Sequence, residues 1–282
     1  MSRHAFLILA HHKPAQLARL TGALRHAQFD VFVHVDQKAD LAAFDVLPNV
    51  AERISTRDVQ WAGFEMIGAT LDLLRLARGR HDYQTYSLLS GADFPALPAD
   101  RLYDELEGLD ASRIDAWTDK DPTWHERYAR PFFHDHRFRR LLNGLSRRFG
   151  KWFAPRVPDG IEVHFGSQWW TLHRSGAEAM LDFLERRPEV ERFARRVHIP
   201  DEMFFQTVLA ATGAPRVQGG RRFIDWSGEL SAHPHLLTED HVPQITSGRW
   251  LFARKFDEDR HPGVLDALER AWETLDSPSE SA

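Results

Sequence analysis

The sequence predicts an α/β fold on a doubly wound, largely parallel sheet, and three observations carry that expectation. Apolar runs of strand length alternate with segments whose leucines recur at helical spacing. The runs at residues 5–10 and 30–36 are nearly unbroken, as in strands covered on both faces. Each of these runs stops on polar residues, and in such sheets ligands collect beyond the carboxyl ends of the strands.

Taken in order, residues 5–10 form the first strand, and His11-His12-Lys13-Pro14 breaks it. Leu17, Leu20 and Leu24 mark a helix running to about His26, and residues 30–36 are a second strand ending on Asp36. Residues 51–55 read as a third strand, Gln60-Trp61-Ala62-Gly63-Phe64 as a turn, and 66–78 as a helix. Residues 83–89 are the next strand, closing on Ser90-Gly91-Ala92-Asp93-Phe94-Pro95; a helix at 99–106 and a strand at 112–117 follow. Residues 119–156 are rich in Arg, His and aromatics with weak periodicity, which reads as a surface excursion serving as an acceptor wall or lid. Residues 162–165 and 168–172 read as paired short strands, 176–186 as a helix and 222–226 as a strand. Residues 231–246 look like a loop, 250–256 leads into a last helix at 263–275, and 276–282 is a polar, disordered tail. One domain over 1–275 is expected, with a nucleotide-binding half at 1–118 and an acceptor-binding, catalytic half at 119–275.

Composition narrows the function classes. The chain has 282 residues, 43% of them hydrophobic and 27% charged, as in soluble globular proteins. A net charge of −5 offers no basic field for nucleic acid. The absence of cysteine excludes disulfides, thiolate metal sites and a cysteine nucleophile. The apolar run before His11 is too short for a leader or a membrane span, so a cytoplasmic protein is expected. Nine tryptophans and nineteen phenylalanines suit both core packing and stacking on flat or sugar-like ligands.

The most telling stretch is Pro200-Asp201-Glu202, which opens an apolar run with helical spacing through Phe204, Phe205, Val208 and Leu209. Such a start places carboxylates at the positive end of a helix dipole and anchors them to a buried element. Charge decoration of a helix start is the plain alternative. The sixteen histidines also invite a metal-hydrolase reading, through His11-His12, His134-x-His136 and His233-x-His235. No His-Glu-x-x-His occurs to support it.

Five motifs in order carry a resemblance: the His-His-Lys at residues 11–13, His34-Val35-Asp36-Gln37-Lys38, Ser90-Gly91-Ala92-Asp93-Phe94-Pro95, Pro200-Asp201-Glu202 and Phe252-Ala253-Arg254-Lys255-Phe256. In this order they resemble the core-2/I-branching β-1,6-N-acetylglucosaminyltransferases and their relatives, the peptide O-xylosyltransferases. The resemblance runs from about Ala5 to Leu275. It implies a GT-A fold, a Rossmann-like nucleotide-binding sheet with helices on both faces. It also implies an inverting glycosyltransferase with a UDP-sugar donor, a glycan or glycoconjugate acceptor and no required metal.

Carried over by position, the resemblance makes Glu202 the general base for the acceptor hydroxyl. Lys255 and Arg222, with Arg221 adjacent, correspond to the cations that meet the departing diphosphate. Asp36 corresponds to the acid at the uracil edge, Leu9 to a wall of the nucleoside site and Trp61 to an aromatic packed on the base. Ser90 and Asp93 fall beside the donor sugar, and Asp93 alternatively caps a helix. Asp115, Lys120, Trp169 and Trp170 fall near acceptor-binding positions, with core packing as the competing reading for one of the two indoles. One departure is Asp119-Lys120-Asp121, an Asp-x-Asp where Mg²⁺ or Mn²⁺ would sit in a metal-dependent relative. UDP-GlcNAc is the expected donor and UDP-xylose the alternative; a non-catalytic UDP- or glycan-binding protein is the rival of another class. The Arg-rich residues 137–156 either form a solvated face or touch an anionic membrane surface or glycan as a peripheral contact.

Overall fold

Period-two alternation along the first strand divides the molecule into two hydrophobic layers. In the computed structural model, which describes residues 1–118, 122–227, 234–248 and 250–276, β1 (Arg3–Ala10) sends Phe6, Ile8 and Ala10 into one core and Ala5 and Leu7 into the other. The chain continues through α1 (Pro14–Ala23), β2 (Phe29–Val35), β3 (Glu52–Ile54), α2 (Glu65–Arg80), β4 (Tyr83–Ser90), β5 (Asp93–Pro95), α3 (Ala99–Glu107) and β6 (Ser112–Arg113). Then come α4 (Pro122–His125), α5 (Arg139–Phe149), β7 (Thr171–His173), α6 (Arg174–Arg186), α7 (Pro188–Ala194) and α8 (Phe204–Thr212). The last elements are β8 (Arg216–Val217), β9 (Arg222–Ile224), α9 (Val242–Ile245), β10 (Phe252–Arg254) and α10 (Val264–Asp276).

The main sheet has the order β3-β2-β1-β4-β7-β6-β8. Its first four strands are parallel, whereas β7 joins both β4 and β6 antiparallel. Helices α1, α3 and α10 cover one face through Leu17, Leu20, Leu102, Leu106, Leu265 and Leu268. On the other face α2, α6 and α8 pack Ile67, Leu71, Met180, Leu181, Phe205 and Val208. This is the α/β, GT-A-type arrangement expected, with helices on both faces.

A second sheet, β5-β10-β9, begins just past the carboxyl end of β4. Its register sets Arg254 opposite Asp93 and beside Ile224, and Phe252 beside Arg222. Two buried cations and one buried carboxylate are thereby brought to the edge where the parallel strands end.

Three expectations need correction. Residues 162–165 and 168–172 are not paired strands: Phe165 bridges Trp117, and β7 starts only at Thr171. The Pro200 helix is broken, because Pro200–Glu202 is a 3-10 turn entered through Ile199 at φ 51° and left through Met203 at φ −143°. Residues 119–156 contain α5, whose apolar residues face outward and so leave no core-facing stripe to read. The Asp119-Lys120-Asp121 motif, His233 and the tail beyond Asp276 lie outside the described residues.

The contrast between covered and uncovered leucines has a measurable consequence. Leu88→Ala in the buried centre of β4 should cost about 2–5 kcal/mol in urea unfolding. Leu141→Ala, at 64% exposure on α5, should cost no more than about 0.5 kcal/mol.

Candidate functional site

The cleft forms where β1, β2 and β4 end and the second sheet begins. Asp36 follows β2; its carboxylate accepts backbone N–H bonds from Lys38 at 2.9 Å and Val59 at 3.3 Å. These bonds fold residues 57–60 back over the strand end and fix the carboxylate, while each oxygen keeps a lone pair for a ligand. Lys38 lies 3.4 Å from the same group. Trp61, on the turn that follows, is 69% exposed, with its ring edge-on to His198 at 6.0 Å between centroids. An indole so exposed beside a fixed carboxylate is available to stack on a planar ring. Leu9 is half-buried at the end of β1, between His34 and Ser90, and its carbonyl accepts from Gly91 N–H at 3.0 Å.

His11 marks where the two sides of the cleft meet. Burial holds it below the usual imidazole value, opposed by Asp36 and reinforced by Lys255 and Lys38. Its ring stacks on His12 at 4.1 Å. Lys255 is half-buried, directly after β10, and its backbone carbonyl is tied to Leu237 N–H at 2.9 Å.

Asp93 lies beneath this floor at 1% exposure, so it does not reach a sugar directly; nor does it cap a helix. Instead it accepts from Ser90, through the backbone N–H at 2.7 Å and through the hydroxyl, and closes the turn between β4 and β5. Its second oxygen faces Arg254 Nε at 3.7 Å. Arg254 is largely buried, with 13% of its side chain exposed and its guanidinium 4.1 Å from the ring centroid of Trp169.

Arg222 is also buried, donating from Nη2 to the carbonyls of Leu88 at 2.8 Å and Trp170 at 2.9 Å. Burial pushes its guanidinium down to about 10, against Asp93, and it stays protonated at neutral pH. Among the described residues, Arg222 Nε and Nη1 and Arg254 Nε meet no hydrogen-bond acceptor. Arg221 points elsewhere, pairing with Glu105 of α3 at 2.7 Å.

Asp115, Ser167, Trp169, Gly220, Arg222 and Trp250 line a cavity of about 160 Å³. Burial raises the Asp115 carboxyl above its ordinary value, with Arg222 opposing. Trp169 lines this cavity, although at 8% exposure it also packs in the core. Trp170 does not line it: it is fully buried against Phe205 and belongs to the core. Lys120 lies outside the described residues.

Glu202 adjoins this cavity through its backbone. Its carbonyl accepts from Gly166 N–H at 2.9 Å, and a Cβ on Gly166 would sit 1.9 Å from the carbonyl oxygen of Asp115. The carboxylate of Glu202 is partly exposed and accepts from Arg127 Nη2 at 2.6 Å. Arg127 also donates to the carbonyl of Ile199 at 3.3 Å and lies over Trp124, so the excursion beyond residue 121 supplies the clamp. The neighbouring Asp201 is buried, and burial first, then the charge of Glu202, raises it to about 7. Of the two adjacent carboxyls, one is buried and holds its proton to higher pH, and the other is ion-paired with Arg127.

Among the described residues the histidine pairs are not gathered into a metal centre. His134 bonds His198 at 2.9 Å in a stack with Phe132, and burial, then His134, lowers His198 to about 4. Among the described residues no group of three His, Asp or Glu is arranged to hold a metal ion. Asp257 and Asp259 are paired with Lys13.

Arg254 and His11 stood in quoted motifs without an assigned contact, and the strand register against Asp93 reveals the place of Arg254. Arg127 was not singled out by sequence, because its contact with Glu202 is tertiary and no spacing encodes it.

Two measurements probe this arrangement. The raised Asp201 carboxyl holds its proton in the fold from about pH 4, where it would lose it unfolded, to about pH 7, so its contribution to stability falls across that interval. Asp201→Asn should remove the fall, so that the variant gains on the wild type in unfolding free energy between about pH 4 and pH 7, by at most about 4 kcal/mol. Gly166→Ala should cost more than about 2 kcal/mol, because the obstacle is backbone rather than a movable side chain.

Comparison with known proteins agrees with these motifs. Residues 4–248 match the family model described as Core-2/I-Branching enzyme. A xylosyltransferase of Ciona intestinalis is 22% identical over 95% of this chain and 34% of its own length. Human xylosyltransferase 2 is 25% identical over 95% of this chain and 33% of its own length, so the chain spans about a third of these relatives. A probable human β-1,3-galactosyl-O-glycosyl-glycoprotein β-1,6-N-acetylglucosaminyltransferase 7 is 22% identical over 94% of this chain and 67% of its own. Among solved structures, galactosyltransferase LgtC with donor and acceptor sugar analogues aligns over 98% of each chain at 9% identity and a TM-score of 0.43. The match over residues 4–248 makes this chain a member of the core-2/I-branching enzyme family.

Proposed function

We propose that the protein is an inverting, UDP-sugar-dependent glycosyltransferase with Glu202 as general base. The observation that carries this reading is the surplus of cationic donors at the strand ends. Arg222 and Arg254 are buried with unmatched N–H groups beside Asp93, and Lys255 stands next in the chain. A site that keeps charged donors out of water without acceptors is suited to an anion, and the departing UDP diphosphate is one.

In this reading the uracil N–H donates to Asp36 while the base stacks on Trp61. The diphosphate lies over Lys255 and the exposed side of Arg254, and Asp93 acts through Arg254. The acceptor occupies the wall formed by Asp115 and Trp169. Its hydroxyl oxygen attacks the anomeric carbon as the bond to UDP breaks; the proton passes to Glu202, and UDP leaves with the electron pair. Arg127 must yield the carboxylate as the acceptor enters. Side-chain cations carry the leaving-group charge, so no metal is required.

UDP-GlcNAc is the proposed donor, in keeping with the acetylglucosaminyltransferase relative. UDP-xylose is the second reading, favoured by the xylosyltransferases among the relatives. A screen of UDP release across UDP-sugars, with and without EDTA, separates the donors and tests metal dependence. Glu202→Gln should lower transfer by about 10²–10⁴-fold while leaving UDP affinity unchanged. Lys255→Ala should lower turnover by about 10²–10³-fold and weaken UDP as well. A Glu202→Gln enzyme with full turnover would rule out the base assignment.

A further inference from the structure

Residues 137–156 carry an apolar stripe that the fold leaves uncovered. Phe138, Leu141, Leu145 and Phe149 recur at three- and four-residue intervals along one side of α5, and Trp152 and Phe153 extend the stripe. Their exposures run from 44% at Phe149 to 81% at Trp152. Ser146 is the buried residue of α5 and Leu142 is half-buried, so the helix rests on the protein by the side adjoining the row and leaves the row itself open. Scattered exposed apolar residues are ordinary, but a contiguous row of this kind marks a contact surface.

Charge identifies the partner. Residues 137–156 contain seven cations, Arg137, Arg139, Arg140, Arg147, Arg148, Lys151 and Arg156, and no Asp or Glu. Arg137 lies over Phe138 at 4.4 Å and Arg148 over Phe149 at 5.5 Å, so cations flank the aromatic row. The cationic field continues into a groove of about 630 Å³ opening at Arg156, where Arg187, Arg192 and Arg196 outnumber Asp159 and Glu189. A second copy of this chain would bring like charges face to face. An apolar row flanked by cations is instead the pattern of a helix lying in the interface of an anionic bilayer. Among the described residues no helix is long and apolar enough to cross a membrane, so the contact is peripheral.

We propose that α5 and the turn after it dock the protein flat on an anionic lipid surface, with Trp152 and Phe153 inserted among the headgroups and the arginines on lipid phosphates. The docked segment is tied to the cleft: Arg139 donates to Gln60 at 2.9 Å, and Asp135 accepts from Phe64 N–H at 2.7 Å. Both contacts hold the turn that carries Trp61. Docking itself is independent of the chemistry in the cleft.

Sedimentation with vesicles tests this. The full chain should bind phosphatidylcholine vesicles containing about 30% phosphatidylglycerol, ignore pure phosphatidylcholine, and release at roughly 0.5 M salt. Trp152→Ser with Phe153→Ser should weaken binding about a hundredfold, and Arg147→Glu with Arg148→Glu at least about thirtyfold. All four positions are exposed, so melting temperatures should stay at the wild-type value. Quenching by brominated lipids should contain a component that Trp152→Phe removes without loss of binding. No binding to anionic vesicles at low salt would overturn the proposal, as would binding indifferent to the paired substitutions. A solution dimer that Trp152→Ser with Phe153→Ser dissociates, with vesicles ignored, would equally overturn it and assign the face to a second copy.

Discussion

Two guanidinium groups held out of water beside one carboxylate set the constraint on which the cleft depends. Arg222 and Arg254 are both buried, and Asp93 opposes the burial penalty at each. Taking a charge from water is costly unless partners replace the solvent, and here the replacement is incomplete. Backbone carbonyls of Leu88 and Trp170 satisfy one nitrogen of Arg222, and the Trp169 ring covers Arg254. The remaining donors stay unmatched. Such an arrangement persists because β5, β9 and β10 form a small sheet whose register leaves the side chains no other place.

The remaining parts of the cleft are arranged around those cations. The parallel strands deliver Leu9 and Ser90 at one level, and Asp36 just beyond it, because β1 pairs with both β2 and β4 in register. The 3-10 turn at Pro200 delivers Glu202 from the opposite side, and Gly166 lets the two chains approach closely enough for its backbone bond. Arg127 reaches in from the excursion between β6 and β7, so the Glu202 carboxylate is held by the same segment that carries the exposed amphipathic helix.

Much of the sheet was legible because its strands are apolar on both faces and its helices carry core-facing leucines. Residues 5–10, 30–36 and 83–89 correspond closely to β1, β2 and β4, and 66–78 to the centre of α2. The α5 helix escaped because its apolar row is exposed and no leucine stripe ties it to the core. The break at Met203 escaped because a left-handed Ile199 is imposed by tertiary contact, its N–H bonded to the carbonyl of Ala62 at 3.2 Å. Of the site, Asp36, Trp61, Lys255 and Glu202 were marked by motifs and lie around the strand ends and the adjoining cavity. Trp170 was indistinguishable from Trp169 in sequence, since only the direction of two successive side chains separates core from wall. Arg254 was hidden by its neighbour Lys255, because charge alone does not tell which of two adjacent cations turns inward.

The central claim is that the cleft cations receive a nucleoside diphosphate, and a crystal structure of the protein soaked with UDP tests it most directly. The account predicts uracil against Asp36 and Trp61, with a phosphate oxygen within hydrogen-bond distance of Lys255 Nζ or the Arg254 guanidinium. UDP found instead in the arginine-lined groove beside Arg156 and Arg192, with the strand ends empty, would contradict it.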